Sequence, residues 1–274
     1  MNIAIIGCGY IGSEAALRWK KKGYTVTSTT RNPDRLEALA KVSQKSIVLK
    51  GNDEDEWVPL IADNDAIVVT VAADSPDQYE SAYLNTSKII RHLGLEMDLP
   101  RHLIYTSSTS VYGDAHGQWV DEHSELLNKS DQGKILIEAE KHYLSLQEVG
   151  WRVTILRLAE IYGPGRELSH RVKQMEGHTL PGTGGHYTNM IHSHDCATAM
   201  DYALRHQLDG IYNLADDEHP TRKELYDAVS NKFHLPKVHW DPEHPSLHSG
   251  NKRVSNHKIK AEGFVLHHPH RVLD

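Results

Sequence analysis

The sequence contains little cysteine and no long apolar run, and both absences narrow the class of protein. Among 274 residues there are two cysteines, Cys8 and Cys196, which form neither a CxxC pair nor a disulfide framework. Such sparse cysteine is typical of a reducing compartment, so we expect a cytoplasmic protein. No segment approaches the roughly 20 consecutive apolar residues that span a bilayer. The apolar start, MNIAIIG, lacks the basic region of a signal peptide, so we expect no membrane association.

An excess of basic residues is also missing. Lysine and arginine total 30 against 37 aspartates and glutamates, which gives a formal net charge of −7. Nucleic-acid binding needs a basic face, so the sequence argues against that function. The 39% hydrophobic and 24% charged content is ordinary for a globular protein whose partner is a small molecule. A homodimer is compatible with this composition.

Histidine is abundant, but zinc-binding spacings are not found. His192 and His194 stand two apart, and His267, His268 and His270 lie close together in the tail. None of these matches a pattern such as HExxH. We therefore expect surface histidines and no metal.

Short apolar strands alternate with amphipathic helical stretches through the first 160 residues. This alternation predicts right-handed βαβ crossovers, and therefore an α/β Rossmann fold: a doubly wound parallel sheet covered on both faces, with a small C-terminal lobe. Helices are expected from Pro33, over Gln78 to Leu93 and Gln132 to Leu146, and from Arg222 behind a Thr221 cap. The predicted strands are 2–6, 24–29, 46–49, 66–71, 103–107, 153–157 and 210–214.

Glycine and proline become frequent after Tyr162, which marks a change of organisation. The predicted boundaries are a dinucleotide-binding Rossmann domain over 1–160 and a mostly substrate-binding lobe over 161–274. Within the second range, residues 187–215 are expected to return to the Rossmann domain.

A glycine motif follows the first predicted strand. Gly7, Gly9 and Gly12 form G-x-G-x-x-G directly before a predicted helix. The first glycine permits a tight turn, the second admits a pyrophosphate, and the third allows close helix–strand packing. The helix N-terminus adds free N–H groups, so Tyr10 and Ile11 join the candidate cofactor site.

The end of the second strand predicts which dinucleotide is bound. NAD sites usually carry an acidic residue there, but this chain has Arg31, and no carboxylate precedes Asp34. Because a guanidinium pairs with a 2′-phosphate, NADP is favoured, with NAD as the alternative. Asn52 and Asp53 are open alternatives for the adenine, and Val71, Ala72 and Ala73 after the fourth strand complete the candidate site.

Four further motifs appear in order along the chain, and together they suggest a family. They are TSSTSVYGD (106–114), LRLAEIYGPG (156–165), NMIHSHD (189–195) and GIYNLADDE (210–218). With the glycine loop, this set resembles the extended short-chain dehydrogenase/reductases, the NAD-dependent epimerase/dehydratase family. The resemblance implies hydride transfer at a hydroxyl or carbonyl, with a hydroxyl side chain at Ser108 binding that group.

The resemblance fails at the acid/base pair of that family. Aligning QGKILIEAE with the family's YGRSKLxAE places Gln132 at the tyrosine and Leu136 at the lysine. Neither side chain transfers a proton near neutral pH. A slipped register would make Ser130 and Lys134 the pair, but it loses the glycine match. We therefore expect an atypical branch, in which Tyr112 or a water is the acid/base.

The substrate residues also depart from the family pattern. Glu160 stands where sugar-nucleotide enzymes usually carry an asparagine, and a carboxylate there would repel a pyrophosphate unless it were paired. Lys252 and Arg253 could bind an anionic substrate or simply be solvated. The candidate substrate-binding residues are Glu160, Tyr162, Arg166, Asn189 and His192.

Two functions of different classes remain. The first is an NAD(P)-dependent oxidoreductase or epimerase acting on a hydroxyl or carbonyl of a small, sugar-like substrate, with Ser108 and Tyr112 as catalytic residues. The alternative is a non-catalytic NADP(H)-binding sensor or regulatory protein. The missing acid/base pair motivates the alternative, because general acid–base catalysis typically contributes about 10²–10⁴-fold.

Overall fold

The computed structural model describes residues 1–51, 53–97, 99–246 and 250–273. Its centre is a seven-stranded parallel sheet of strand order β11-β7-β5-β4-β1-β2-β3, which confirms the predicted fold class. The three remaining pairs are β10 with β8, β12 with β9, and β13 with β6. The strands are β1 Asn2–Ile6, β2 Thr25–Thr30, β3 Lys45–Val48, β4 Ala66–Val69, β5 His102–Ser108, β6 Trp119–Val120, β7 Arg152–Leu158, β8 Glu160–Tyr162, β9 Thr179–Pro181, β10 Met190–His192, β11 Gly210–Leu214, β12 His239–Asp241 and β13 Arg253–Val254.

The helices follow the strands in alternation. They are α1 Tyr10–Lys21, α2 Leu36–Val42, α3 Glu54–Ala62, α4 Asn85–Glu96, α5 Asp131–Leu144, α6 Leu168–Gln174, α7 Ser193–His206, α8 Arg222–Phe233 and α9 His257–Ala261. Short 3₁₀ turns cover Pro33–Arg35, Pro76–Gln78, Thr109–Tyr112 and Ser145–Val149. Among the described residues, no helix is long and apolar enough to cross a lipid bilayer.

The central strands are apolar because both faces of the sheet are covered. All four residues of β4 are buried, as are Ile3–Ile6 in β1. Such continuous burial is typical of a parallel sheet with helices on each side. The apolar runs that predicted these strands therefore reflect two-sided burial.

Element ends differ from prediction where polar side chains intervene. The fourth strand ends at Val69 and not at residue 71, and the Thr70 hydroxyl that follows it donates to the carbonyl of Gly7. The predicted helix from Gln78 begins instead as a 3₁₀ turn and a π-helical turn, Glu80–Leu84, before α4. Asn32 caps a 3₁₀ turn in place of the helix expected at Pro33. Thr221 caps α8 as predicted, with Glu224 completing a capping box.

The chain divides into two compact units. The first unit comprises residues 1–108, 130–157 and 196–212, and the second comprises 109–129, 158–195 and 213–274. The division differs from the predicted boundaries in that 109–129 belongs to the second unit. The segment that returns to the first unit is 196–212, where a return over 187–215 was predicted. Turn-rich sequence marks loops but does not show which unit a loop packs on.

A buried ion pair joins α5 to β7 within the first unit. The Arg157 guanidinium donates to both oxygens of Glu140, at 2.7 Å from Nη2 to Oε2 and 3.0 Å from Nε to Oε1. Ser107 donates to the same carboxylate at 2.6 Å. Both charged side chains are almost completely inaccessible, at 2% and 3% exposure. Both oxygens of the Glu140 carboxylate accept hydrogen bonds, and such pairing is the condition for tolerating a buried charge.

In the second unit, the C-terminal segment is fastened by Arg271. Its side chain is 1% exposed and pairs with Asp216 at 2.9 Å. It also donates to the backbone carbonyls of Thr188 and Glu218, at 2.9 Å and 2.6 Å. The described residues around Arg271 are therefore part of the packed unit.

Breaking the buried pair should cost far more stability than breaking a surface pair. We expect Glu140→Gln to lower the free energy of unfolding by about 3–5 kcal/mol, because Arg157 is left as an uncompensated buried charge. Lys134→Gln removes the exposed 3.4 Å pair with Asp131 and is the matched control; its expected cost is within about 0.5 kcal/mol. Urea unfolding followed by circular dichroism measures both. Equal costs would contradict the role given to the buried pair.

Candidate functional site

The glycine loop between β1 and α1 passes very close to the end of β4. Gly7 has φ +74°, and a Cβ atom there would lie 2.8 Å from the Cα of Val71. A Cβ on Gly12 would lie 2.6 Å from the hydroxyl oxygen of Thr70. Both positions therefore require glycine, the first for its backbone conformation and its close contact, and the second for helix–strand packing.

Gly9 is different, because open space surrounds its missing side chain. A Cβ there would meet only the carbonyl oxygen of Gly7, at 3.8 Å. Gly9 is also the N-cap of α1, so this open space lies at the N-terminus of that helix, where the first backbone N–H groups have no acceptor within the helix. The gap and the helix N-terminus form a cradle suited to a pyrophosphate, as the motif predicts. Tyr10 and Ile11 form the first turn of the helix beneath it.

The loop is tied to the end of β2, where Arg31 lies. Thr29 accepts from Gly7 N through its hydroxyl, at 3.0 Å, and from Cys8 N through its carbonyl, at 2.8 Å. Arg31 is exposed and donates to the carbonyl of Ala72 at 3.3 Å. Its guanidinium therefore lies at the carboxyl edge of the sheet, beside the segment after β4.

Sequence reasoning missed a second cation near this edge. Arg35, in the 3₁₀ turn after β2, is half-buried. Burial raises the pKa of the Cys8 thiol, and the charge of Arg35 partly opposes that rise. Hydrogen bonds from Ser28 and Ser13 oppose the rise more strongly than the charge of Arg35 does. The signal of Arg35 in the sequence was only its spacing of four from Arg31.

The remaining candidate cofactor residues have mixed surroundings. Val71 and Ala73 are half-buried and Ala72 is exposed. The hydroxyl of Tyr83, which the sequence did not single out, is hydrogen-bonded to the backbone of Ala73. Asp53 is the N-cap of α3 and accepts from Asp55 N at 3.2 Å. Asn52 lies outside the described residues.

Ser108 is the last residue of β5 and lies at the carboxyl edge of the sheet. It is half-buried, whereas the two hydroxyl residues before it are buried in the strand. Ser107 donates to Glu140, and Thr106 donates to the carbonyl of Val69 at 3.2 Å. The position of Ser108 at this edge suits the substrate-binding role that the resemblance implies.

Helix α5 carries no acid/base pair at the aligned positions. Leu136 is 3% exposed within the apolar packing, and Gln132 is half-buried in the first turn. The slipped register fares no better. Ser130 is the N-cap, with its hydroxyl accepting from Gly133 N at 3.0 Å, and Lys134 is exposed beside Asp131.

Tyr112 is buried completely, and its hydroxyl donates to Asn213 Oδ1 at 2.7 Å. Both residues belong to the second unit. A hydroxyl without solvent access and with a short internal hydrogen bond stabilises packing. This geometry argues against the predicted catalytic role of Tyr112. The sequence did not indicate the contact, because its partner lies about a hundred positions away along the chain.

Two predicted substrate residues lie on β8. Glu160 is exposed and pairs with Arg171, which supplies the partner that a carboxylate at this position needed. Tyr162 is fully buried, and its hydroxyl accepts from Val272 N at 3.2 Å. Tyr162 thus anchors the C-terminal segment, which corrects its reading as a substrate contact. Arg166 is exposed in the turn that begins at Gly163.

Asn189 forms hydrogen bonds to other segments of the second unit. Its amide donates to the carbonyl of Lys252 at 2.9 Å, and its Oδ1 accepts from Val254 N at 2.8 Å and from the His219 ring at 3.0 Å. With its donor and its acceptor both engaged, Asn189 holds β13 in place. This is a correction, since the sequence suggested a substrate contact.

His192 is buried, contrary to the expectation of a surface histidine, whereas His267 and His270 are exposed as expected. His192 is 8% exposed and stacks on His268 at 3.8 Å between ring centroids. The potential ligand atoms of His192, Asp195 and His268 lie within 4.8 Å of one another. However, Asp195 already accepts from the backbone N–H groups of His267 and His268, at 2.6 Å and 3.0 Å. The cluster therefore holds the backbone at residues 267 and 268 against Asp195.

Lys252 and Arg253 are not a solvated pair. Lys252 is 7% exposed and donates to the carbonyl of Gly113 at 3.1 Å. Burial lowers the pKa of Lys252, and the charge of Asp114 partly offsets that effect. Arg253 lies between the rings of Trp119 and Tyr187, 5.1 Å and 4.9 Å from their centroids.

Comparisons with known proteins agree with this architecture. The profile described as the NAD dependent epimerase/dehydratase family matches residues 3–215. Protein YeeZ of Escherichia coli (strain K12) is 31% identical over 275 residues, covering 98% of this chain and 96% of that protein. A functionally unknown conserved protein from Silicibacter pomeroyi DSS aligns with TM-score 0.80 and 25% identity, covering 98% and 94%. The UDP-glucose 4-epimerase of Thermus thermophilus, solved in complex with NAD, aligns with TM-score 0.78 and 20% identity, covering 97% and 94%.

The two glycines should respond in opposite ways to substitution. Gly9→Val places its side chain in open space, so we expect an unchanged melting temperature and loss of dinucleotide binding. Gly12→Val forces a clash with Thr70 and should lower the free energy of unfolding by about 1–3 kcal/mol or more. Thermal unfolding and fluorescence titration with NADPH separate the effects. Normal binding by Gly9→Val would mean that the dinucleotide binds elsewhere.

Proposed function

Because the chain belongs to the NAD-dependent epimerase/dehydratase family, we propose that it is an NADP-dependent oxidoreductase or epimerase acting on a hydroxyl or carbonyl of a small, sugar-like substrate. The observation that carries this proposal is the open space at Gly9, above the N-terminus of α1, with Arg31 at the adjoining sheet edge. The cradle and the cation match the two phosphate sites of NADP.

The residues that we propose to hold the dinucleotide belong to the first unit. Gly9 and the α1 N-terminus would receive the pyrophosphate, since open space beside Gly9 and the N-terminus of a helix occur together there. Val71, Ala72 and Ala73 border the loop at the end of β4. When bound, the nicotinamide supplies or accepts the hydride.

Arg31 is the residue that favours NADP over NAD. It is exposed, and the acceptors found for it among the described residues are a carbonyl and an amide oxygen, at 3.3 Å and 3.5 Å. These are neutral partners at the long end of hydrogen-bond distance, so a phosphate would be a stronger acceptor. Arg35 lies four residues away and adds positive charge.

Ser108 would bind the reacting oxygen of the substrate. A hydroxyl group can donate to a carbonyl oxygen or accept from an alcohol, so it suits either direction of reaction. Gln132 and Leu136 do not titrate near neutral pH, and Tyr112 is committed to Asn213. A water hydrogen-bonded to Ser108 would then exchange the proton with solvent.

The substrate class that we propose is supported by proteins of similar fold. Solved structures of similar fold include a UDP-glucuronic acid 4-epimerase from Bacillus cereus, in complex with NAD. The pairing of Glu160 with Arg171 weakens the repulsion that this carboxylate would exert on an anionic sugar derivative. A sugar-derived hydroxyl or ketone is therefore the substrate class we propose.

A second candidate function is a sensor that binds NADP(H) without chemistry. It is favoured by the leucine at position 136, where the aligned family motif has a lysine, and by the internal hydrogen bond that engages the Tyr112 hydroxyl. Both functions require the same dinucleotide site, so dinucleotide binding does not distinguish them. Only the enzyme would turn over a substrate.

Removing Arg31 should weaken NADP binding selectively. Arg31→Ala loses a charge-assisted contact worth about 1.5–3 kcal/mol for NADP and leaves NAD affinity unchanged. Lys21→Ala removes the same charge at the C-terminal end of α1, away from the glycine loop. It is the control and should alter neither affinity. Calorimetry with both dinucleotides provides the measurement. Equal affinity of the unmodified protein for NAD and NADP would refute the preference.

Ser108 should matter more to turnover than the residue at the tyrosine position. With NADP and a panel of sugar alcohols, we expect Ser108→Ala to reduce kcat by about tenfold or more, since it loses a hydrogen bond to the reacting oxygen. Gln132→Ala should change kcat only modestly. If neither variant alters dinucleotide affinity and no panel member is turned over, the sensor function is favoured over the enzyme.

A further inference from the structure

Trp119, in the second unit, is the most exposed tryptophan, tyrosine or phenylalanine among the described residues. It is 54% exposed, whereas Trp19, Trp57 and Trp151 are buried. It lies on the two-residue strand β6, which pairs in parallel with β13. Single exposed aromatic side chains are common on protein surfaces, so the surroundings of Trp119 decide whether it has a binding role.

The indole is held in one orientation by its neighbours. The guanidinium of Arg253 lies 5.1 Å from the centroid of Trp119, and the His219 ring meets it edge-on at 4.8 Å. Arg253 is itself fixed, because its Nε donates to the carbonyl of Gly117 at 3.0 Å and Tyr187 covers it at 4.9 Å. A ligand that stacks on Trp119 would therefore meet a preorganised surface, which lowers the entropic cost of binding.

A small cavity, open to the surface, has this side chain in its lining. Its volume is about 220 Å³, and its lining is Trp119, Val120, Asp121, Ser124 and Ser255. Pockets for drug-sized ligands measure roughly 300–1,000 Å³, so this cavity suits a single ring. All five residues belong to the second unit, and the cavity needs no dinucleotide to form it.

Two polar groups of the lining retain capacity for a ligand. Asp121 Oδ1 accepts from His123 N and from the Ser124 hydroxyl, each at 3.0 Å, and the carboxylate also interacts with the Ser124 backbone. A carboxylate can accept about four hydrogen bonds, so Asp121 can accept another. The Ser255 hydroxyl oxygen accepts from His257 N at 3.3 Å, which leaves its proton to donate. The cavity thus offers one charged acceptor and one donor next to a flat apolar face.

We propose that this cavity is a binding subsite for an uncharged sugar ring, which stacks on Trp119 and hydrogen-bonds to Asp121 and Ser255. A pyranose presents one face of C–H groups to an aromatic ring and hydroxyls at its rim, which matches this set of groups. The carboxylate of Asp121 disfavours a sugar acid or a phosphate by like-charge repulsion. The subsite goes beyond the proposed function, because it requires neither NADP nor Ser108.

The test follows Trp119 directly by ¹⁹F NMR of the full chain labelled with 5-fluorotryptophan. The chain has five tryptophans, and Trp119→Phe assigns the relevant signal. Methyl β-D-glucopyranoside, methyl β-D-galactopyranoside, methyl β-D-glucuronide and uridine are titrated in turn without NADP. We expect the Trp119 signal alone to shift, with the neutral glycosides binding more tightly than the glucuronide.

Variants then separate the subsite from nonspecific stacking. Calorimetric titration should show Trp119→Ala weakening glycoside binding by about tenfold or more. Asp121→Asn should reduce the discrimination against the glucuronide. Phe233→Ala, which removes another exposed aromatic side chain of the second unit, is the matched control and should leave affinity unchanged. The other four ¹⁹F signals report whether each variant is folded.

Three results would overturn the proposal: no shift of Trp119 with either neutral glycoside, tighter binding of uridine or of the glucuronide, or unchanged affinity in Trp119→Ala. Because this assay contains no dinucleotide, its failure is distinguishable from failure of the NADP proposal.

Discussion

The close approach of the glycine loop to the end of β4 constrains the whole candidate cofactor site. Side chains at Gly7 and Gly12 would overlap Val71 and Thr70, at 2.8 Å and 2.6 Å. Only without them can β1, α1 and β4 meet as closely as they do. The same approach leaves Gly9 as the open position, so the packing of the loop and the space for a ligand have one cause.

The fold and the cofactor loop were predictable because their signals are local. Apolar runs and glycine spacing depend on residues within one βαβ unit, and the family match over residues 3–215 agrees with them. The ends of elements were less predictable, as at Thr70, whose hydroxyl donates to the carbonyl of Gly7 in the distant glycine loop. Arg35 was missed for a similar reason, since its proximity to Cys8 depends on a turn that Asn32 caps.

The substrate residues were poorly predicted because their partners are distant in sequence. Tyr162 accepts from Val272 N, and Asn189 holds the backbone of Lys252 and Val254. These contacts join positions separated by more than sixty residues, and nothing in the local pattern indicates them. In the second unit, motif residues that look reactive are therefore used to fasten the C-terminal segment.

The loss of the acid/base pair is consistent with how α5 is used. The helix places Glu140 in a buried charge pair with Arg157, and it buries Leu136 on the same side of the sheet packing. A lysine at position 136 would introduce a second buried charge near a pair that is already satisfied by Ser107. Gln132→Tyr with Leu136→Lys would therefore restore the family's residue types at a cost in stability that the present packing avoids. The packing around Leu136 thus opposes a lysine at this position in the core of the first unit, which is consistent with the proposal that another group transfers the proton.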